Sequence, residues 1–237
     1  MKNSIIIGGS RGSGLVISEK LKARGDNICV LSRTNHNSQI EHISFDLLDD
    51  NINQNCKKII DKMPSIDNLI FCQNNRTSKD DDKYEFNLNV HSIKKVIEAL
   101  TENFSDTASI VAIGSPAGHT IVSEQPLAYH ASKAALEQLV KYYAVKLGAI
   151  GVRVNCLLPG TLLKKENKEF YENEKNLQSL FKKIIPLGRQ GTSEDLANVV
   201  NFLCSEQSSF ITGQIIYVDG GISLNGQESL ARSILGI

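Results

Sequence analysis

The sequence predicts an α/β fold, a doubly wound parallel sheet of about seven strands with helices on both faces. Three observations carry that prediction. Short β-branched runs alternate with longer stretches of helical period along the 237 residues. The strand runs, such as SIII, NLIF and SIVAI, are apolar at nearly every position, as in strands covered on both sides. No linker, low-complexity tract or internal repeat divides the chain, so residues 1–237 read as one domain.

Ser4–Ile7 is the first strand and stops at glycines. The helix over Gly14–Ala23 carries Leu15, Ile17 and Leu21, and Gly25 closes it. Ile28–Leu31, Ile43–Phe45 and Ile66–Cys72 are the next three strands, with a helix over Asn51–Lys62 that ends before Pro64. Tyr84–Asn103 places Leu88, Val90, Ile93, Val96, Ile97 and Leu100 near the helical period and reads as one helix. Ser109–Ile113, Val152–Leu158 and Gln214–Val218 complete the sheet, interleaved with helices over Ala128–Leu147 and Thr192–Cys204. The charged stretch 161–183 has only a thin apolar stripe of Leu177, Leu180 and Phe181. Within a segment 161–187 it is either a solvated surface helix or a lid. The lid reading rests on its place after the sixth strand, at the sheet edge where such folds bind ligands.

Composition narrows the function. The chain is 41% apolar with a net charge of zero, which gives no electrostatic bias toward nucleic acid or an anionic membrane. Its five cysteines (Cys29, Cys56, Cys72, Cys156, Cys204) form no C-x-x-C pair, and its five histidines show no ligand spacing. A disulfide framework or metal site is not expected, and a reducing compartment is. Met1–Ile7 is too short an apolar run for a signal peptide, and no run approaches spanning length. A cytoplasmic protein is expected.

Gly8-Gly9-Ser10-Arg11-Gly12-Ser13-Gly14 joins the first strand to the first helix. Glycines permit tight turns and close approach of backbone amides to a pyrophosphate, and the helix N-terminus adds free N–H groups. Alone, the loop is also what an ordinary glycine-rich turn looks like, and its G-x-x-x-G-x-G spacing differs from G-x-G-x-x-G. The second strand ends at Ser32-Arg33, with no acid to bind a ribose 2′-hydroxyl. Arg33 and Arg11 offer charge-assisted contacts to a 2′-phosphate and Ser32 a hydrogen bond, which favours NADP(H).

Tyr129 and Lys133 stand at i and i+4 near the start of a helix and project from one face. A free tyrosine has a pKa near 10. A nearby ammonium is expected to lower it, which would make Tyr129 a general acid or base. Ser115 follows the fifth strand, where its hydroxyl would meet the same reacting oxygen. Each residue alone has a bland reading, a helix-surface pair or a turn serine. In this order after a glycine loop they gain weight.

Taken together, these motifs resemble the short-chain dehydrogenase/reductase family, in the single-domain branch that includes 3-oxoacyl-acyl-carrier-protein reductases. IGGSRGSG resembles TGxxxGxG, with Ile7 for the usual Thr. IGSPAG and YHASK hold the family Ser, Tyr and Lys, VRVNCLLPG its Pro159-Gly160, and the segment from Gly188 to Gly221 its C-terminal signature. The resemblance implies a Rossmann-type NADP(H) domain that interconverts a ketone and a secondary alcohol. It implies a catalytic Asn89, with Asn87 as a possible misalignment, beside Ser115, Tyr129 and Lys133. The implied cofactor residues are Gly8, Ser10, Arg11, Gly12, Ser13, Gly14, Ser32, Arg33, Asp46 and Leu47. They continue with Cys72, Gln73 and Asn74 in place of NNAG, then Tyr129, Lys133, Pro159, Gly160 and Leu162. Lys164 replaces a usual threonine, leaving amide contacts to Leu162 and Thr161.

The implied partner is a small-molecule or acyl-carrier-linked carbonyl substrate. Lys164, Lys165, Lys168, Lys182 and Lys183 are candidates for docking an acidic carrier, weakened by the interleaved Glu166, Glu169, Glu172 and Glu174. A sugar intermediate of surface-glycan assembly is an alternative substrate, from the resemblance of the tail LNGQESLARSI. An inactive dinucleotide-binding regulator is a third possibility. The family implies a homotetramer or homodimer, and Leu136, Leu139, Val140, Tyr143 and Leu147 are either its interface or core.

Overall fold

The computed structural model describes residues 1–37, 39–73 and 81–237. Seven parallel strands form one sheet: β1 (Asn3–Ile7), β2 (Asn27–Ser32), β3 (Glu41–Ser44), β4 (Ile66–Phe71), β5 (Phe104–Ile113), β6 (Arg153–Pro159) and β7 (Ile215–Val218). Their spatial order is 3-2-1-4-5-6-7. The helices are α1 (Gly12–Ala23), α2 (Ile52–Lys62), α3 (Asp82–Phe86), α4 (Ser92–Leu100), α5 (Leu127–Gly148), α6 (Lys168–Asn173), α7 (Lys175–Ile184), α8 (Ser193–Leu203) and α9 (Gln227–Leu235).

Strand side chains alternate between faces, so an unbroken apolar run feeds two cores. In β1, Ile5 and Ile7 join a core with Leu69, Phe71, Val96 and Leu136 under α2, α4 and α5. Ile6 points the other way, into a core with Ile17, Leu21, Val111 and Val200 under α1 and α8. Leu136, Val140, Tyr143 and Leu147 of α5 are buried in the first core, and Leu139 packs against it from a partly buried position. They face the sheet, so of the two readings, interface or core, these side chains take the core one. The sheet's apolar surface claims them first.

Two further differences from the sequence reading have local causes. β5 begins at Phe104 rather than at Ser109, because its first half is polar and its pairing with β4 shifts register between Ile66 and Asn68. The single helix expected over Tyr84–Asn103 is broken into α3, a π-helical turn at Asn87–His91, α4 and a 3-10 turn at Thr101–Asn103. The apolar period hides the extra residue that the wide turn accommodates around buried Asn89.

The chain winds outward through β1, β2 and β3, then returns to β4 on the other flank of β1. That reversal opens a crevice at the carboxyl ends of β1 and β4. Glycines let the backbones meet there. A Cβ on Gly8, which has φ +79°, would lie 2.9 Å from the Cys72 carbonyl, and one on Gly14 would lie 2.2 Å from the Gly8 oxygen. The segment after β6 crosses this edge. Leu162–Leu163 pairs with Gly191–Thr192, and α6 and α7 follow, with α7 packed on α9. No helix among the described residues is long and apolar enough to cross a membrane.

Candidate active site

A cleft of about 650 Å³ runs along the carboxyl edge of the sheet. Its volume lies in the range of small-molecule and cofactor sites. One end is the glycine loop: Gly8, Ser10, Arg11, Gly12, Ser13 and Gly14 line it. The Arg11 side chain does not cap α1 and no acid lies in its first turn, so among the described residues its N–H groups are open to an anion. Those open amides, and a backbone cradle that a Cβ would fill at Gly14, fit a dinucleotide pyrophosphate. Beyond it lie Ser32, Arg33, Asp46 and Leu47. Both Arg11 and Arg33 are solvent-exposed at this rim. The Ser32 hydroxyl already donates to the Thr34 carbonyl at 2.8 Å and meets His42 Nε2 at 2.9 Å. Asp46 accepts from the Leu48 N–H at 3.0 Å.

Cys72 and Gln73 line the middle of the cleft, as do Pro159, Gly160, Thr161, Leu162 and Lys164. Gln73 Oε1 is buried with no hydrogen-bond partner among the described residues. Asn74 lies outside the described residues. The turn after Leu162 is stapled by Asn167, which accepts from the Lys164 N–H at 2.6 Å and donates to the Leu162 carbonyl at 3.1 Å. Lys164, Glu166, Asn167 and Tyr171 thereby become part of the wall. Sequence reasoning left out Glu166, Asn167 and Tyr171. The asparagine staple has a local signal in KKEN, and the others have none.

Ser115, Tyr129 and Lys133 line the other end. Ser115 caps a 3-10 turn at Pro116–Gly118, accepting from the Ala117 N–H at 3.2 Å, and its hydroxyl is hydrogen-bonded to that of Tyr129. Lys133 Nζ lies 5.6 Å from the centre of the Tyr129 ring. It donates to Asn89 Oδ1 at 3.1 Å and to the Ile113 carbonyl at 3.5 Å. Of the two asparagines considered, Asn89 is the one that reaches Lys133. It stands behind the cleft wall, 1% exposed, in the π-helical turn. Its Nδ2 donates to Glu85 Oε2 at 2.7 Å and to Ser132 Oγ at 3.1 Å.

The electrostatics correct one expectation. The Tyr129 pKa is raised, not lowered. Burial is the main cause and the nearby Glu85 charge adds to it, while the Ser115 hydrogen bond opposes both. Burial also lowers the pKa of Lys133, against smaller upward pulls from Cys156 and Glu85. An ammonium at i+4 was expected to dominate. In the dry wall of the cleft, desolvation of the charged forms outweighs it.

Comparison with known proteins fits this geometry. A family model described as enoyl-(acyl carrier protein) reductase matches residues 10–223. A 3-oxoacyl-[acyl-carrier-protein] reductase of Rickettsia felis is 32% identical over 244 residues, covering 93% of this chain and 96% of that protein. The chain belongs to the short-chain dehydrogenase/reductase family. An uncharacterized oxidoreductase of Schizosaccharomyces pombe is 32% identical over 248 residues, covering 97% of this chain and 93% of its own. Among solved structures, a short chain dehydrogenase family protein of Francisella tularensis superposes with a TM-score of 0.78 at 26% identity, covering 95% and 100% of the two chains. The aldohexose dehydrogenase of Thermoplasma acidophilum gives a TM-score of 0.83 at 25% identity, covering 95% of each. Membership makes this chain an oxidoreductase, distantly similar to 3-oxoacyl-acyl-carrier-protein reductases, and implies a nicotinamide dinucleotide cofactor.

Proposed function

We propose that this short-chain dehydrogenase/reductase is an NADP(H)-dependent reductase that converts a ketone to a secondary alcohol, with a 3-oxoacyl thioester as the leading substrate class. The observation that carries the reading is the continuity of the cleft: one cavity is lined both by the phosphate-ready glycine loop and by Ser115, Tyr129 and Lys133. Preference for NADP(H) rests on Arg33 and Arg11 at the rim and on the absence of an acid at the end of β2.

When bound, the nicotinamide supplies the hydride. The protein's own part is to orient the carbonyl and deliver a proton. Ser115 donates a hydrogen bond to the carbonyl oxygen, holding it beside the Tyr129 hydroxyl. Tyr129 gives that oxygen its proton. Its raised pKa suits this direction, because the phenol keeps its proton at neutral pH until the oxygen becomes basic. Lys133 stabilises the phenolate that is left, and Asn89 holds Lys133 in register through its amide oxygen. The segment 161–187 acts as the lid, bringing Lys164, Glu166 and Tyr171 to the cleft wall. Glu166 Oε1 lies 3.2 Å from where a Cβ on Gly12 would sit. Glu166 would have to leave this position for the loop to hold a pyrophosphate, because two negative charges would otherwise meet there.

The test is NADPH oxidation with a panel of 3-oxoacyl thioesters, simple ketones and sugar ketones or lactones, comparing the wild type with Tyr129→Phe. Turnover that collapses in the variant supports the reading. NADPH binding without turnover on any substrate favours a dinucleotide-binding regulator instead. Preferred turnover of the sugar compounds moves the substrate class to glycan intermediates.

A further inference from the structure

The residues behind the Tyr129 end include one that the catalytic set does not account for. Glu85 is 2% exposed on α3, and its carboxylate accepts from the Asn89 side chain. Burying a carboxylate costs several kcal/mol after relaxation unless nearby charge and hydrogen bonds compensate. Among the described residues, part of that compensation comes from the Asn89 side chain.

We propose that Glu85 is a positioning residue for proton transfer, which locks the Asn89 amide so that its oxygen faces Lys133 and which places a carboxylate behind the Tyr129–Lys133 pair. This rests on the reductase reading given above and deepens it.

The argument begins with donor and acceptor chemistry. An ammonium has only hydrogens to offer, and an ionised carboxylate only lone pairs. A side-chain amide placed between them has one stable orientation, oxygen to the lysine and nitrogen to the glutamate. The contacts follow that rule. Lys133 Nζ donates to Asn89 Oδ1 at 3.1 Å, and Asn89 Nδ2 donates to Glu85 Oε2 at 2.7 Å. The second Asn89 N–H goes to Ser132 Oγ at 3.1 Å, and Ser132 itself donates to the Tyr129 carbonyl at 3.0 Å. The amide is therefore fully engaged, in a pocket where Asn89, Ser132 and Lys133 are 1%, 0% and 3% exposed. An apolar residue at position 85 would leave one buried Asn89 N–H unpaired and loosen the amide whose oxygen holds Lys133.

Charge makes the second half of the case. Among the described residues, the groups facing Glu85 and Lys133 come from three directions. Tyr129 and Lys133 stand on α5, and Cys156 on β6 acts on Lys133. On the near side are Asp81, Asp82, Lys83 and Tyr84; Tyr84 is half-buried and the other three are exposed. Glu137, one turn beyond Lys133, is paired with His119. Among these, Glu85 is the carboxylate whose charge acts on both Tyr129 and Lys133. Its effect on the coupled pair has one sign: a nearby negative charge makes the first proton harder to remove, whichever site it leaves.

Glu85→Gln keeps an acceptor for Asn89 and removes the charge, whereas Glu85→Leu removes both. The pH profile of ketone reduction should show the high-pH falling limb of Glu85→Gln moved to lower pH by about one unit. Its kcat at the optimum should stay within about tenfold of wild type. Glu85→Leu should lose about a further tenfold in kcat. The loss should appear in kcat, with KM and NADPH affinity changed by less than about threefold. A Glu85→Gln profile that superimposes on the wild type, or a loss carried by KM and NADPH affinity with kcat unmoved, overturns the proposal.

A second readout needs no substrate. The Asn89 side-chain NH₂ signal, assigned by its loss in Asn89→Ala, should be protected from hydrogen exchange in the wild type and in Glu85→Gln, and unprotected in Glu85→Leu. Equal protection in Glu85→Leu overturns the lock. If the wild type reduces no ketone, the reductase reading fails while this signal still decides the role of Glu85.

Discussion

At the glycine-loop end the cleft is made of backbone, and at the Tyr129 end it is made of side chains. The first end depends on what is missing: no Cβ at Gly8 or Gly14, no cap on α1 and no acid after β2. The second depends on what is present, a run of contacts from Glu85 through Asn89 and Lys133 to Tyr129 and Ser115. A backbone site is spoiled by adding atoms. A side-chain network is spoiled by removing one polar atom and leaving its partner unpaired. The same chain should therefore separate binding from chemistry when its two ends are mutated independently.

The largest effect should be at the side-chain end. Tyr129→Phe removes the proton donor and should lower kcat by about 10²–10⁴-fold. NADPH affinity, measured by fluorescence titration, should stay within about threefold of wild type, and equal losses in both would erase the contrast between the ends. Gly14→Ala is the opposite break. The added methyl would lie 2.2 Å from the Gly8 oxygen, and the loop must shift to admit it. We expect NADPH affinity to fall by more than about tenfold and stability by about 1–3 kcal/mol. Thermal melting with and without NADPH checks both.

Arg33→Glu sharpens the comparison within the backbone end. A charge-assisted contact is worth about 1.5–3 kcal/mol. The ratio of NADPH to NADH efficiency should fall by about ten- to a hundredfold, with kcat for the preferred cofactor little changed. An unchanged ratio places the 2′-phosphate elsewhere.

The smallest effect should come from Asp195, which lines neither end. It closes a capping box with Thr192 at the start of α8 and pairs with Arg189. That pairing, helped by bonds from Thr192, holds its carboxyl well below the usual range. The folded value lies below the unfolded one, so the stabilisation is present above about pH 4 and is lost as pH falls through the folded value. The group is partly solvated, so Asp195→Asn should cost about 1 kcal/mol at pH 7 and less in acid, read from urea melts. Turnover at pH 7 should be unchanged.

The two ends also differ in how far sequence reveals them. The strands, the glycine loop and the Ser115, Tyr129 and Lys133 positions were legible because their signals are local: apolar runs, glycine spacing, an i, i+4 pair. Glu85 was not legible. It sits inside an apolar helical pattern and acquires meaning through Asn89 and through α5, where Lys133 stands 44 positions beyond Asn89. The π-helical turn that turns Asn89 inward is invisible to a count at helical period. The direction of the Tyr129 shift was misjudged for a related reason. Sequence displays the lysine beside the tyrosine but not the depth of either, and depth decides the sign here. Glu166 over Gly12 likewise joins segments that are distant in the chain and close only through the turn stapled by Asn167.

The central claim is that one cleft holds NADP(H) at its backbone end and delivers a proton from Tyr129 to a carbonyl at the other. Its most direct test is mass-spectrometric detection of deuterium in the product alcohol after incubation with 4-deuterated NADPH and the best ketone or 3-oxoacyl thioester. The account predicts one deuterium at the carbinol carbon for the wild type and almost none for Tyr129→Phe at equal NADPH occupancy. Label transfer that proceeds equally in Tyr129→Phe, or a wild type that binds NADPH and transfers none across the panel, would contradict it.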